Sequence, residues 1–153
     1  MRVAAIQLNS TADMAANISR ARELIVQARD RGAELAALPE HFAYLGPEDK
    51  NPPSAQPLNG PLVQEFGALA RELEMFLLLG SFPEVAAADQ PPHNTSVLLG
   101  NDGAILAAYR KMHLFDVDLP GGPAYQESRL IHPGREVVAA PLPDTPFTAG
   151  LAV

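Results

Sequence analysis

An α/β fold built on a mixed β-sheet follows from three features of this sequence. Short, almost unbroken apolar runs at residues 3–8, 35–38 and 76–80 have the length and composition of strands covered on both faces. Between them, residues 14–28 and 61–73 repeat apolar side chains at spacings of three and four, the period of a helix with one buried face. After a loop at residues 83–92 the alternation ends, and two more strand-like runs flank Gly100-Asn101-Asp102-Gly103, a strong hairpin turn. Crossover units followed by a hairpin make a mixed sheet and not a purely parallel one.

The first run, Val3-Ala4-Ala5-Ile6-Gln7-Leu8, predicts a short buried strand. Ser10, Thr11 and Asp13 offer N-caps to the helix that follows, whose stripe is Met14, Ile18, Ala21, Ile25 and Ala28. Arg20, Arg22, Glu23 and Arg29 fall largely off that stripe, and Gly32 suits the left-handed residue that closes a helix. Leu35-Ala36-Ala37-Leu38 is a second strand, stopped by Pro39 and followed at once by Glu40. Residues 41–59 read as a long loop broken by Gly46, Pro47, Pro52, Pro53 and Pro57, and long ordered loops are often binding loops.

Pro61 stands at the first position of a second helix, with Leu62, Phe66, Leu69 and Leu73 on one face. Phe76-Leu77-Leu78-Leu79-Gly80 is the third strand, and residues 95–99 and 104–109 are the arms of the hairpin. A connection rich in Pro and Gly leads to two last strands at residues 137–140 and 149–153. No internal repeat is present, and the 15 prolines lie mostly between the periodic stretches. They mark connections inside one domain, residues 1–153.

The 153 residues suffice for one domain with a core, and 47% hydrophobic with 19% charged residues is a globular composition. A formal net charge of -7 and a pI near 4.9 argue against a nucleic-acid or anionic-membrane partner. No apolar run approaches the roughly 18 residues of a membrane-spanning helix. The apolar start is also shorter than a signal-peptide core of about 7–15 residues, so a cytoplasmic location is expected. There are no cysteines, which removes disulfides, thiolate metal sites and a thiol nucleophile from these residues.

Candidate chemistry lies where strands end. Glu40 follows the second strand and Lys111 follows the run at residues 104–109, and two such residues would meet at one rim of the sheet. A structural ion pair satisfies the same pattern, as does, for Lys111 alone, a surface cation. Glu127 sits beyond the loop containing Gly121 and Gly122 and reads either as a third member of the group or as a solvated carboxylate. His113, Asp116 and Asp118 lack any familiar ligand spacing, so no metal site is expected. Ser81 and Ser128 have neither the G-x-S-x-G elbow nor an obvious His partner. No P-loop or G-x-G-x-x-G occurs to cradle phosphate.

Taken together, Leu38-Pro39-Glu40, Tyr109-Arg110-Lys111, His113-Leu114-Phe115-Asp116-Val117, Pro120-Gly121, Glu127-Ser128 and Pro133-Gly134 resemble the nitrilase, or carbon–nitrogen hydrolase, superfamily. The opening strand and Asn94-Thr95-Ser96-Val97-Leu98-Leu99 fit it too. The resemblance is to the Nit branch, which holds omega-amidase and deaminated-glutathione amidase. Phe42, Pro57-Leu58 and Leu79-Gly80-Ser81-Phe82 lean towards the second of these.

This resemblance implies an α-β-β-α sandwich with mixed sheets, assembled as a dimer or other homo-oligomer in the intact enzyme. It also implies a Glu-Lys-Cys triad that hydrolyses the amide of a small ω-amido acid with no metal or organic cofactor. On the same grounds Glu40 is the general base, Lys111 the oxyanion-stabilising lysine and Glu127 the glutamate that supports the site. The family's cysteine follows a strand much like Gly150-Leu151-Ala152-Val153, the last residues of this chain. The expectation is therefore the N-terminal part of such a domain, an incomplete sandwich that is inactive alone on its small-molecule amide. The alternative is a non-catalytic paralogue that pairs with a full-length subunit. A ligand-binding α/β module is a third reading.

Overall fold

The computed structural model describes residues 1–47, 54–85, 90–122 and 124–153. Its central sheet has the strand order β1-β2-β3-β4-β5, formed by β1 Val3–Ala5, β2 Leu35–Ala37, β3 Phe76–Glu84, β4 His93–Leu99 and β5 Ile105–Arg110. The first three strands run parallel, and β4 and β5 return antiparallel beside β3. Helices α1 Met14–Asp30 and α2 Pro61–Leu73 make the two crossovers.

Helix α1 starts on Asp13, whose carboxylate accepts from the Ala16 N–H at 3.0 Å. Ala21, Ile25 and Ala28 are buried as the stripe predicts, whereas Met14 and Ile18 are only partly covered. Asn17 is buried on the same face because its amide ties two segments together. It donates to the carbonyls of Thr11 at 2.7 Å and Ala43 at 3.0 Å, joining the segment after β2 to the helix.

Side chains alternate across the sheet with the period of two that a pleated strand imposes. Ala36, Leu77, Leu79, Val97 and Leu99 face the helices. Leu35, Phe76, Leu98 and Tyr109 face the other way, onto Ala140, Leu142 and Leu151. Those last three belong to or adjoin β8 Val138–Pro141 and β9 Thr148–Leu151, a two-stranded antiparallel sheet. The layers are thus helices, mixed sheet and a second small sheet. A further hairpin, β6 Asp116–Asp118 with β7 Ala124–Gln126, leads into a 3-10 turn at Glu127–Arg129.

Several expectations need correction. The first strand is shorter than residues 3–8, and Val3 is 58% exposed because β1 lies at the edge of the sheet. Strand β3 runs past residue 80 to Glu84, so Pro83 and Glu84 belong to a strand and not to a loop. A register shift between Leu79 and Phe82 accommodates this, as prolines in sheets require a bulge or an edge. The β6–β7 hairpin is not foreseen from the sequence, since three-residue strands carry no periodic signal. Pro52 and Pro53 of the predicted long loop lie outside the described residues.

The same bulge makes room for the chain as it leaves β2. A Cβ on Gly80 would collide with the main-chain carbonyl oxygens of Leu38 and Pro39. Only glycine lets that segment pass so close over β3 before it turns at Glu40. Gly80→Ala should therefore destabilise the fold by about 1–3 kcal/mol, the usual range for overpacking. Gly150→Ala, where open space surrounds the added carbon, should be near neutral. Denaturant unfolding of the two variants checks the contrast, and equal stability would contradict it.

Candidate active site

Glu40, Lys111 and Glu127 come from three separate segments and converge on one ammonium group. Lys111 Nζ lies 3.0 Å from Glu40 Oε1 and 3.0 Å from Glu127 Oε2. The lysine side chain is 11% exposed, Glu127 17% and Glu40 40%. Two carboxylates and one cation leave the cluster with a formal charge of one negative unit.

Local structure explains each position. Glu40 follows the end of β2 and precedes His41, which adopts the left-handed region at φ 54. The His41 N–H donates to the buried Ser81 hydroxyl at 3.0 Å, which stabilises that turn. Phe42 is then fully buried, edge-on to Phe66 with ring centroids 5.3 Å apart. Glu40 is thus fixed between a strand end and a buried aromatic anchor.

Lys111 directly follows β5. Its N–H donates to the Asn94 carbonyl at 2.9 Å, and its own carbonyl accepts from Gly134 N–H at 2.8 Å. A Cβ at Gly134 would collide with the Arg110 carbonyl, so glycine permits that approach. Glu127 opens the 3-10 turn, and its Oε2 accepts from Phe115 N–H at 2.6 Å. Asp116 steadies the same turn by accepting from Ser128 N–H at 3.0 Å.

A second ion pair lies next to the first. Arg110 donates through Nε and Nη2 to the two oxygens of Glu84, both at 2.7 Å, and Thr95 donates to Glu84 at 2.8 Å. Such a paired fork is the strong form of the arginine–carboxylate bond. The pair joins the ends of β3 and β5 immediately before Lys111. Asn94 donates from Nδ2 to Glu40 Oε1 at 2.8 Å. The charged cluster opens on a cleft of about 330 Å³ whose other walls include Tyr44, Leu45, Phe115, Tyr125 and Ile131.

Sequence reading singled out the three charged residues but passed over His41, Glu84, Asn94, Tyr44 and Tyr125 as site residues. Asn94-Thr95-Ser96, a polar run inside an otherwise apolar strand, was the available signal, since buried polar groups have partners. Among the described residues no group of three His, Cys, Asp or Glu side chains is arranged to hold a metal, and no helix is long and apolar enough to cross a membrane.

Charge states follow from these contacts. Burial opposes ionisation of Glu40, but the bond to Lys111 and its charge, with His41 and Asn94, outweigh it and hold the carboxyl below 4.5. Burial likewise opposes the charge on Lys111, and the bonds to Glu40 and Glu127 outweigh that and hold it above 10.5. Glu84 is desolvated too, and Arg110 with Thr95 draws it below 4.5. The depressed carboxyls stabilise the fold fully above their unfolded value and lose that contribution as pH falls through the folded ones. The raised lysine contributes below 10.5 and loses its share only as pH rises through its folded value. Stability should therefore fall as pH drops below 4.5, and Glu84→Gln should flatten that acid limb. Denaturation across pH checks this, and an acid limb unchanged in the variant would contradict it.

The sequence and the fold are similar to those of known proteins. Residues 2–153 match the carbon–nitrogen hydrolase family. Omega-amidase NIT2 of Homo sapiens is 38% identical over 133 residues, which cover 87% of this chain and 48% of that protein. The deaminated glutathione amidase of Synechocystis is 37% identical over 134 residues, 87% of this chain and 49% of that protein. The chain spans about half the length of these curated relatives. Among solved structures, Nit3 of Saccharomyces cerevisiae, a nitrilase-superfamily member, aligns with a TM-score of 0.77 at 28% identity, covering 98% of this chain and 54% of that one. The C. elegans NitFhit protein aligns with a TM-score of 0.76 at 29% identity, covering 89% and 34%. The mixed sheet with its helices is therefore the nitrilase-type α/β fold. This chain belongs to the carbon–nitrogen hydrolase family.

Proposed function

We propose that residues 1–153 supply the base and the lysine of an amidase site acting on the terminal amide of a small ω-amido acid. The observation that carries this reading is the Lys111 ammonium shared at 3.0 Å by two carboxylates beside an apolar cleft. The names of the relatives, an omega-amidase and a deaminated glutathione amidase, support the substrate class.

The thiol of such a site comes from outside these residues, which contain no cysteine. The family resemblance puts it directly after Val153. Val153 packs against the same apolar cluster as Met112, the neighbour of Lys111, which supports that placement. A free thiol ionises near pH 8.5, so a carboxylate base and a nearby cation are what it needs to react at neutral pH. Glu40 takes the thiol proton as sulfur attacks the amide carbonyl, and Lys111 faces the oxyanion that forms. Collapse of that intermediate returns the proton from Glu40 to the leaving ammonia. Water then attacks the thioester, giving up a proton to Glu40, and the carboxylic acid leaves with the thiol restored.

Base assistance of this kind is worth roughly 10²–10⁴-fold. Loss of one oxyanion donor costs about 3–4 kcal/mol. Glu127, the better buried of the two carboxylates, keeps Lys111 charged and aimed when Glu40 is neutralised. No metal or organic cofactor enters these steps.

Two experiments test the reading. Purified residues 1–153 should release no ammonia from a glutamine-like ω-amide. Release above that of a Lys111→Ala control would contradict the thiol mechanism. Protein expressed from DNA read in frame past codon 153 should carry a cysteine next and hydrolyse the amide. Glu40→Gln or Lys111→Ala in it should lower kcat by about 10²-fold or more. A stop codon at that position in an expressed gene would overturn the amidase reading and favour a non-catalytic partner of a full-length subunit.

A further inference from the structure

Asn94 touches both halves of the charged site without carrying a charge. It lies near the start of β4 and is 1% exposed. Its side-chain Nδ2 donates to Glu40 Oε1 at 2.8 Å, and its main-chain carbonyl accepts from Lys111 N–H at 2.9 Å. One residue thus sets the Glu40 carboxylate and the Lys111 backbone in a common register.

Its other amide atom, Oδ1, is buried and has no hydrogen-bond partner among the described residues. Buried acceptors left this way are uncommon and call for a reason. Turning the amide over would set Oδ1 against a carboxylate oxygen, two acceptors at hydrogen-bonding distance with no proton between them. The charge of Glu40 therefore keeps the donor of Asn94 facing it, and Oδ1 stays unpaired.

Glu40 Oε1 receives Asn94 Nδ2 at 2.8 Å and Lys111 Nζ at 3.0 Å, with His41 Nε2 at 3.7 Å. Among the described residues no hydrogen bond reaches Oε2. We propose that Asn94 is a positioning residue for the Glu40 base, holding Oε1 together with Lys111 so that Oε2 is the oxygen that accepts the proton. A neutral donor suits this task. It fixes the terminal torsion, which is otherwise broad, without adding a second cation that would weaken the base. The proposal rests on Glu40 acting as the base, but its test requires no turnover.

The test is side-chain NMR on the whole chain, with glutamate carboxyl carbons and asparagine amides labelled. The Asn94 Nδ2 protons should shift with the same pH midpoint as the Glu40 carboxyl carbon. Asn94→Leu should move that midpoint up towards or past 4.5. Asn94 protons that do not respond at the Glu40 midpoint would overturn the proposal whether or not the variant folds. So would an unchanged Glu40 midpoint in a folded Asn94→Leu protein. Ammonia release judges the amidase reading separately, so either idea can fail alone.

Discussion

The Lys111 ammonium, at the edge of the cleft and held by two carboxylates, is the constraint on which the rest of the site depends. A cation this buried is tolerated only when paired and hydrogen-bonded, because removing one partner leaves a charge without compensation. Glu127 and Glu40 share the work unequally. Glu127 is the more buried and is fixed by the Phe115 N–H, so its attraction for the lysine is little screened. Glu40 is 40% exposed, and its share of the interaction is weaker for that reason. The deep carboxylate is held by a second donor besides the lysine, and the shallow one borders solvent.

Holding three charges together across the chain requires close backbone approaches, which the fold supplies with small residues and one left-handed turn. Gly80 lets the exit from β2 cross β3, and Gly134 lets the segment before β8 meet the end of β5. His41 bends the chain after Glu40, with Ser81 satisfying its N–H. Backbone in a sparsely populated region beside a charged cluster is the pattern of a positioned site. Arg110 and Lys111 are successive residues whose side chains serve different carboxylates. The first locks β5 to β3 through Glu84, and the second enters the cleft.

Much of this was legible in the sequence, for physical reasons that differ by element. The helices and the buried strands read clearly because burial of one face, or of both, writes a period into the residues. Glu40 and Lys111 were visible because each is a charge coming just after an apolar run, where a strand ends. Val3 misled, since an edge position depends on sheet order and not on local composition. Glu84 was hidden behind Pro83, which suggests a loop unless the bulge at Gly80 is known. Asn94 bonds to a residue 54 positions away, and no local pattern encodes such a pairing. Glu127 read either as a third member of the group or as a solvated carboxylate until the family resemblance favoured the first, because the hairpin that delivers it is too short to show periodicity.

Glu40, Lys111 and Glu127 form one ion-paired cluster, and a double-mutant cycle on stability measures the coupling within it. Lys111→Met and Glu127→Gln, alone and combined, should show a coupling of about 0.5–3 kcal/mol in denaturant unfolding. The Lys111–Glu40 cycle should show a smaller coupling of the same sign, because Glu40 is the more exposed partner. Additivity within about 0.3–0.5 kcal/mol in both cycles would show three independent surface charges and contradict a shared site.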